Sequence, residues 1–254
     1  MAEKLVVVAT HGHCFDGMCS AAMFTRLMRH LLPGDTLQFR YHSVGYGPGQ
    51  NGVDPKLLAG DVNAVLDFRF SQAPQLTWYF DHHVSAFPSP DDRAKYDAHV
   101  SASAERHMFH DGAYGSCTKL IADVGRESFG LDPEPTRELV RWADMIDSAA
   151  FPNAKMAVER TEPVLQLMTV VEHLADDTFL ARMVPRLLVE PVESVARADD
   201  VQAAYAPFKK SHEAFIELVR AHAKTIGHSV LVDLTGVLLD VVGKFVTYAM
   251  FPDS

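Results

Sequence analysis

The sequence is poor in cysteine. Cys14, Cys19 and Cys117 are an odd number, show no CxxC spacing and follow no charged n-region with an apolar h-region. A complete disulfide framework is excluded, and a reducing cytoplasm is the expected location. Long apolar runs are also lacking. The nearest, Val237–Val242, is short and contains Asp240, far from the roughly 18 to 20 residues of a membrane helix. No membrane partner is expected. Positive charge is scarce, with 23 Lys and Arg against 33 Asp and Glu and a net charge of −10. That balance speaks against a broad basic face for duplex DNA, so any anionic substrate must be attracted locally. There is no internal repeat or low-complexity tract.

What is present suits a globular chain. The 254 residues, 48% hydrophobic, can bury one large core or two. The stretch Leu76–Phe80 is aromatic and β-prone and runs directly into Asp81-His82-His83. Lys4–Thr10 reads as a buried strand ending in His11-Gly12-His13-Cys14-Phe15-Asp16, followed by a helical period over Met18–Leu32. Thr36–Tyr41 and Asn63–Phe68 supply further strands, Glu105–His110 a possible one, with short helical links at Pro55–Leu58 and Ser71–Pro74. Strands alternating with helices predict an α/β fold with a parallel sheet. From Glu134 the pattern turns helical: Thr136–Ile146, Val164–Ala175, Thr178–Val189 and Val192–Ile226, interrupted by Pro163, Pro185, Pro191 and Pro207. His228–Leu234 and Lys244–Phe251 read as strands again. The predicted organisation is an α/β domain over 1–150, a helical linker over 151–227, and over 228–254 the start of a small, apparently truncated C-terminal α/β domain.

Chemistry is expected where strands end. Parallel strands deliver their carboxyl ends to one rim. His11, His13 and Asp16 after the first strand, Asp67 after the third and Asp81-His82-His83 after the fourth would therefore meet, with Asp144 and Asp147 arriving from a helix. Taken singly each has a bland explanation: Asp67 can cap, Asp147 can be a solvated helix residue, and His107 and His110 are read as ordinary strand or surface residues. Together, mixed imidazole and carboxylate ligands suit Mn²⁺, Zn²⁺, Fe²⁺ or Co²⁺ better than Ca²⁺, and so many candidates suggest two ions. Two ions about 3.5–4 Å apart would supply a bridging hydroxide and clamp a phosphoryl oxygen. The glycine-rich stretch Gly45–Gly52 reads as a flexible loop that can border the site, since Pro48 removes a donor and no helix follows. Ser116, behind Gly115, fits an N-cap; the amides after it would also make an anion site, and both readings stand.

At these residues the chain resembles the DHH phosphoesterase superfamily. The triplet is Asp81-His82-His83. The family's first motif is similar to His11-Gly-His13-Cys-Phe-Asp16-Gly17, with His13 where the family usually has Asp. Its strand-end Asp motif resembles Val65-Leu66-Asp67-Phe68, and its helical Ala-Asp pair is similar to Ala143-Asp144. The resemblance implies two divalent ions, Mn²⁺ first with Co²⁺, Zn²⁺ or Mg²⁺ as alternatives. It implies His11, His13, Asp16, Asp67, His82 and Asp144 as ligands, with Asp67 bridging. Asp81 would orient His82, His83 would face the scissile phosphate, and Gly115 and Ser116 would contact substrate. His13 in place of an anion would favour softer ions. The family's Gly-Gly-Gly-His substrate motif is missing.

The expected activity is hydrolysis of phosphodiester bonds in short oligonucleotides or cyclic dinucleotides through a two-metal-activated hydroxide. A pyrophosphatase or other small phosphoanhydride hydrolase is the alternative within the family, and a catalytically silent metal- or nucleotide-binding regulator the alternative outside it. A homodimer is compatible with the sequence.

Overall fold

The first apolar run forms strand β1 (Glu3–His11), in which Val6, Val7, Val8 and Ala9 are fully buried. A strand buried on both faces needs a layer on each, and the chain supplies them in turn. The computed structural model describes residues 2–47, 52–102, 107–237 and 246–251. Four further strands follow: β2 (Thr36–Val44), β3 (Val62–Leu66), β4 (Trp78–Asp81) and β5 (His107–His110). They pair in the order β2-β1-β3-β4-β5, all parallel.

Helix α1 (Phe15–Leu31) lies on one face, Phe24 setting its ring 5.6 Å from Trp78 and 6.4 Å from Phe80. It packs with α3 (Cys117–Phe129) and α4 (Arg137–Asp147). The alternate side chains Val7, Ala9, Val65, Tyr79 and Met108 face the other way, where they join Phe70 and Tyr96 in a second cluster. Tyr96 comes from α2 (Pro90–Ala102), a polar helix with no apolar period and so no signal in the sequence. Helix α1 begins hard against the end of β1. A Cβ on Gly17 would sit 2.1 Å from the His11 carbonyl oxygen, and Thr10 Oγ1 donates to the Gly17 carbonyl at 2.7 Å.

The remaining helices are α5 (Ala154–Glu159), α6 (Pro163–Leu174), α7 (Asp177–Leu187), α8 (Val192–Arg197) and α9 (Asp199–His222). The chain divides into two units, Met1–Ala150 with Val171–Val192, and Phe151–Val170 with Glu193–Ser254. Residues 171–192, read from sequence as linker, belong to the first unit. The carboxylate of Asp177 accepts from the Ser43 amide at 2.7 Å and meets His42 Nδ1 at 2.8 Å, while Ser43 Oγ donates to the Ala175 carbonyl at 2.6 Å. These bonds tie α7 to β2.

In the second unit, Val158, Phe215, Val219 and Val246 form the core. An antiparallel hairpin, β6 (Ala223–Ile226) and β7 (Ser229–Val232), turns through Gly227, whose φ of 62° a glycine adopts without strain. Four sequence expectations change. Val192–Ile226 ends as a helix at His222, its last residues pairing as β6. Pro185 and Pro207 lie inside α7 and α9 rather than breaking them: each lacks one backbone donor, and buried flanking side chains outweigh that loss. The described part of Lys244–Phe251 is helix α10 (Val246–Met250), which sets Val246 and Met250 four apart on one face toward the core. Ser71–Pro74 is not helical, and residues 48–51 of the glycine-rich loop, 105–106 and 244–245 lie outside the described residues. No described helix is long and apolar enough to cross a membrane.

Candidate metal centre

Three neighbouring strands, β1, β3 and β4, end at one rim of the sheet and each brings a side chain to it. His11 is the last residue of β1 and Asp81 the last of β4, with His82 and His83 directly after. Asp67 follows β3 in the left-handed backbone region, φ 54°, a conformation that an Asp tolerates better than most residues. Asp16 comes from the first turn of α1 and Asp147 from the last residue of α4.

The distances define two groups around Asp67. His82 Nε2 lies 3.2 Å from Asp147 Oδ2, 3.5 Å from Asp67 Oδ1 and 3.9 Å from Asp16 Oδ2. His11 Nδ1 lies 3.7 Å from Asp67 Oδ2. The sets Asp16–His82–Asp147 and His11–Cys14–Asp67 each place one ligand atom per residue within 4.8 Å of the others, and Asp67 makes a third such set with His82 and His83. Asp67 is 0% exposed, yet neither of its oxygens has a hydrogen-bond partner. His11 Nδ1 and His82 Nε2 are likewise buried and make no hydrogen bond, only the longer ion pairs just given. Burying so many polar atoms unpaired is costly. Divalent cations would satisfy them, and the donor set of imidazole, carboxylate and thiol fits such ions.

Supporting bonds fix the orientations. His82 Nδ1 donates to the Tyr114 carbonyl at 3.1 Å, which turns Nε2 toward the carboxylates, where it carries a proton in the metal-free protein and can bind a cation once that proton leaves. Asp81, expected to orient His82, instead pairs with His83: Nδ1 of His83 donates to Asp81 Oδ1 at 2.7 Å. The same oxygen accepts from the His82 amide, and Tyr79 donates its hydroxyl to the other oxygen at 3.1 Å. A side chain two residues on can fold back to the Asp81 carboxylate, whereas Nδ1 of His82 is taken by the Tyr114 carbonyl, although the two rings lie only 4.4 Å apart.

Asp16 is held by α3. Its oxygens accept from the amides of Cys117 at 2.7 Å and Thr118 at 3.0 Å. The anion site expected behind Ser116 is therefore filled by a carboxylate of the protein itself, and Ser116 acts as the cap, accepting from the Lys119 amide. Gly115 serves packing: a Cβ there would meet Asp144 Oδ1 at 2.7 Å.

Charge is concentrated here. Burial pulls His82 down, but Asp147, Asp67 and Asp16 push it up to about 11. The hydrogen bond to Asp81 raises His83. Burial works to raise Asp67, and the imidazoles of His11, His82 and His83 more than offset it and hold the carboxyl below the usual range. Asp16 goes the other way, pushed well up by burial and by the charges of Asp67 and Asp147.

Two expected ligands are not brought to the cluster. His13 is exposed, its left-handed backbone (φ 55°) turning the chain so that Cys14, not His13, joins His11 and Asp67. Asp144 accepts from Ser116 Oγ at 3.3 Å, and Asp147, one turn further along α4, reaches His82. The helical spacing of Asp144 and Asp147 was the signal for the latter; nothing in the sequence singled out Cys14. Beside the centre Tyr46, 46% exposed, stacks on Phe68 with centroids 4.4 Å apart, and the Arg69 guanidinium lies 4.6 Å from the Tyr46 ring.

No protein-family model matches the sequence, and no curated protein matches it either. Solved structures do. A pGpG-specific phosphodiesterase, PggH, from Vibrio cholerae is 16% identical over 98% of this chain and 75% of its own, with a TM-score of 0.64. RecJ in complex with Mn²⁺ from Thermus thermophilus is 12% identical over 84% of this chain and 37% of its own, with a TM-score of 0.47. An exopolyphosphatase-related protein from Bacteroides fragilis is 13% identical over 88% and 62%, with a TM-score of 0.40.

Proposed function

We propose that this chain, which has the fold of the DHH phosphoesterases, is a metal-dependent phosphoesterase that hydrolyses phosphodiester bonds of short oligonucleotides or cyclic dinucleotides. One observation carries the reading: a fully buried carboxylate, Asp67, has no hydrogen-bond partner and stands between two ligand-spaced sets. His11, Cys14 and Asp67 would hold one ion, and Asp16, His82, Asp147 and Asp67 the other. Bound divalent ions supply a Lewis acid for a phosphoryl oxygen and an attacking water that is acidic near neutral pH.

The protein's own groups do the rest. Tyr114 and the amides of Cys117 and Thr118 hold His82 and Asp16 in place before any substrate arrives, so no reorganisation is needed at the moment of reaction. His83, backed by the buried Asp81, presents a cation to the negative charge that develops on the phosphate. Tyr46 and Arg69 offer an aromatic edge and a guanidinium at the border of the centre, which suits a nucleotide better than pyrophosphate. With overall charge at −10, phosphate attraction falls to these few groups and the ions. The fold neighbour named for pGpG makes a linear dinucleotide the first substrate to try.

The test is a hydrolysis panel with Mn²⁺: pGpG, a cyclic dinucleotide, a short single-stranded oligonucleotide and pyrophosphate. Turnover of the nucleotides is the expected result. Turnover of pyrophosphate alone would replace this reading with the phosphoanhydrase one, and two bound ions with no turnover of anything would favour the silent regulator.

A further inference from the structure

Cys14 is the one member of the ligand-spaced sets that is neither imidazole nor carboxylate, and capping does not explain it. It stands at the N-cap of α1 with extended backbone (φ −126°, ψ 132°), yet its side chain makes no capping hydrogen bond. The other two cysteines, Cys19 and Cys117, are completely buried, and Cys117 Sγ donates to the Phe80 carbonyl at 3.3 Å. Cys14 is partly exposed, and its sulfur lies within 4.8 Å of a ring nitrogen of His11 and an oxygen of Asp67. The cysteine does not stand alone. His11 Nδ1 and both Asp67 oxygens are buried beside it without a hydrogen-bond partner, a set of donors that a bound cation would satisfy.

We propose that Cys14 is a thiolate ligand of the ion held by His11 and Asp67, and that it makes this half of the centre select Zn²⁺ or Co²⁺ over Mn²⁺ or Mg²⁺. The inference rests on the two-ion reading above. As the ion binds, the thiol gives its proton to the buffer and the sulfur lone pair forms the bond to the metal. A thiolate carries the same charge as a carboxylate but is a softer donor, so charge is kept while preference shifts toward the later metals. The opposite half, built from Asp16, His82 and Asp147, has harder donors. The two halves would then differ in the ion they favour.

The experiment is a Co²⁺ titration of the metal-free full chain, wild type and Cys14→Ser. Visible d–d bands shifted or intensified relative to free aqueous Co²⁺ report that Co²⁺ is bound, and thiolate-to-cobalt charge transfer in the near ultraviolet reports sulfur. The wild type is expected to show both, and Cys14→Ser to keep the first and lose the second. Visible absorption without charge transfer in the wild type, or charge transfer that survives in Cys14→Ser, would overturn the assignment of Cys14 and leave the metal reading standing. A spectrum no different from that of free aqueous Co²⁺ would bring down both. Alkylation of wild-type Cys14, read by peptide mass spectrometry, needs no variant: Co²⁺ should protect the thiol, and equal alkylation with and without Co²⁺ would count against the proposal even if Cys14→Ser does not fold.

Discussion

If both ions lean on Asp67, then Asp67→Asn should cost both at once, whereas changing a ligand of one half should leave the other half loaded. The amide keeps the shape but removes the negative charge, and presents one N–H₂ face where two acceptor oxygens are needed. With free Mn²⁺ about a hundredfold above its dissociation constant, each site adds about 2.7 kcal/mol to the stability of the folded state. Two sites give about 5 kcal/mol, and at about 2–4 °C per kcal/mol for a chain of this size the melting temperature should rise by about 10–20 °C. The structure places one oxygen of Asp67 toward His11 and the other toward His82, so the shift should nearly vanish in Asp67→Asn. Thermal unfolding of each variant with and without Mn²⁺ measures this against that variant's own metal-free state, which cancels any change the substitution makes to the bare protein. An Mn²⁺-induced shift close to wild type in Asp67→Asn would refute the shared bridge.

His82→Ala should lose metal from its half of the centre and with it activity, while His83→Ala should keep metal content and lose turnover; metal analysis beside initial rates separates the two, and equal metal loss would contradict the division. In the metal-free protein His82 is held protonated, pushed up to about 11. Its contribution to stability is full below the unfolded value near 6.5 and disappears as pH rises through about 11. Mn²⁺ must displace that proton, so adding Mn²⁺ near neutral pH in weak buffer should release it, and affinity should climb with pH; pH-independent affinity would show that His82 is not a ligand. Burial lowers the pKa of His212, whose Nε2 meets the Val158 carbonyl at 2.7 Å, with Arg160 adding to the fall and Glu213 working against it. A depressed histidine favours the neutral form in the fold, so the second unit should lose stability as pH falls below about 6.5, and His212→Gln should flatten that dependence in denaturant melts.

The sheet was legible because its strands are short apolar runs that stop at polar clusters, and their parallel pairing carries those clusters to one rim. That pairing placed His11, Asp16, Asp67 and His82 at one rim among several other candidates; their roles as ligands came from the family resemblance. Orientation was not legible. Which imidazole meets Asp81, and that a backbone carbonyl at Tyr114 holds His82, depends on loop paths that no residue spacing encodes. The left-handed turn at His13 exchanges His13 for Cys14, and one helical turn exchanges Asp144 for Asp147. The polar helix α2 offers no apolar period to read, and Lys244–Phe251 carries β-prone residues whose described part is helical because its apolar side chains meet the core four residues apart.

Electron paramagnetic resonance of the Mn²⁺-loaded protein tests the central claim most directly, because ions that share the Asp67 carboxylate must couple magnetically. Two equivalents of Mn²⁺ per chain with the multiline spectrum of a spin-coupled pair is the predicted result. A single equivalent, or two with the six-line spectrum of isolated Mn²⁺, would contradict it.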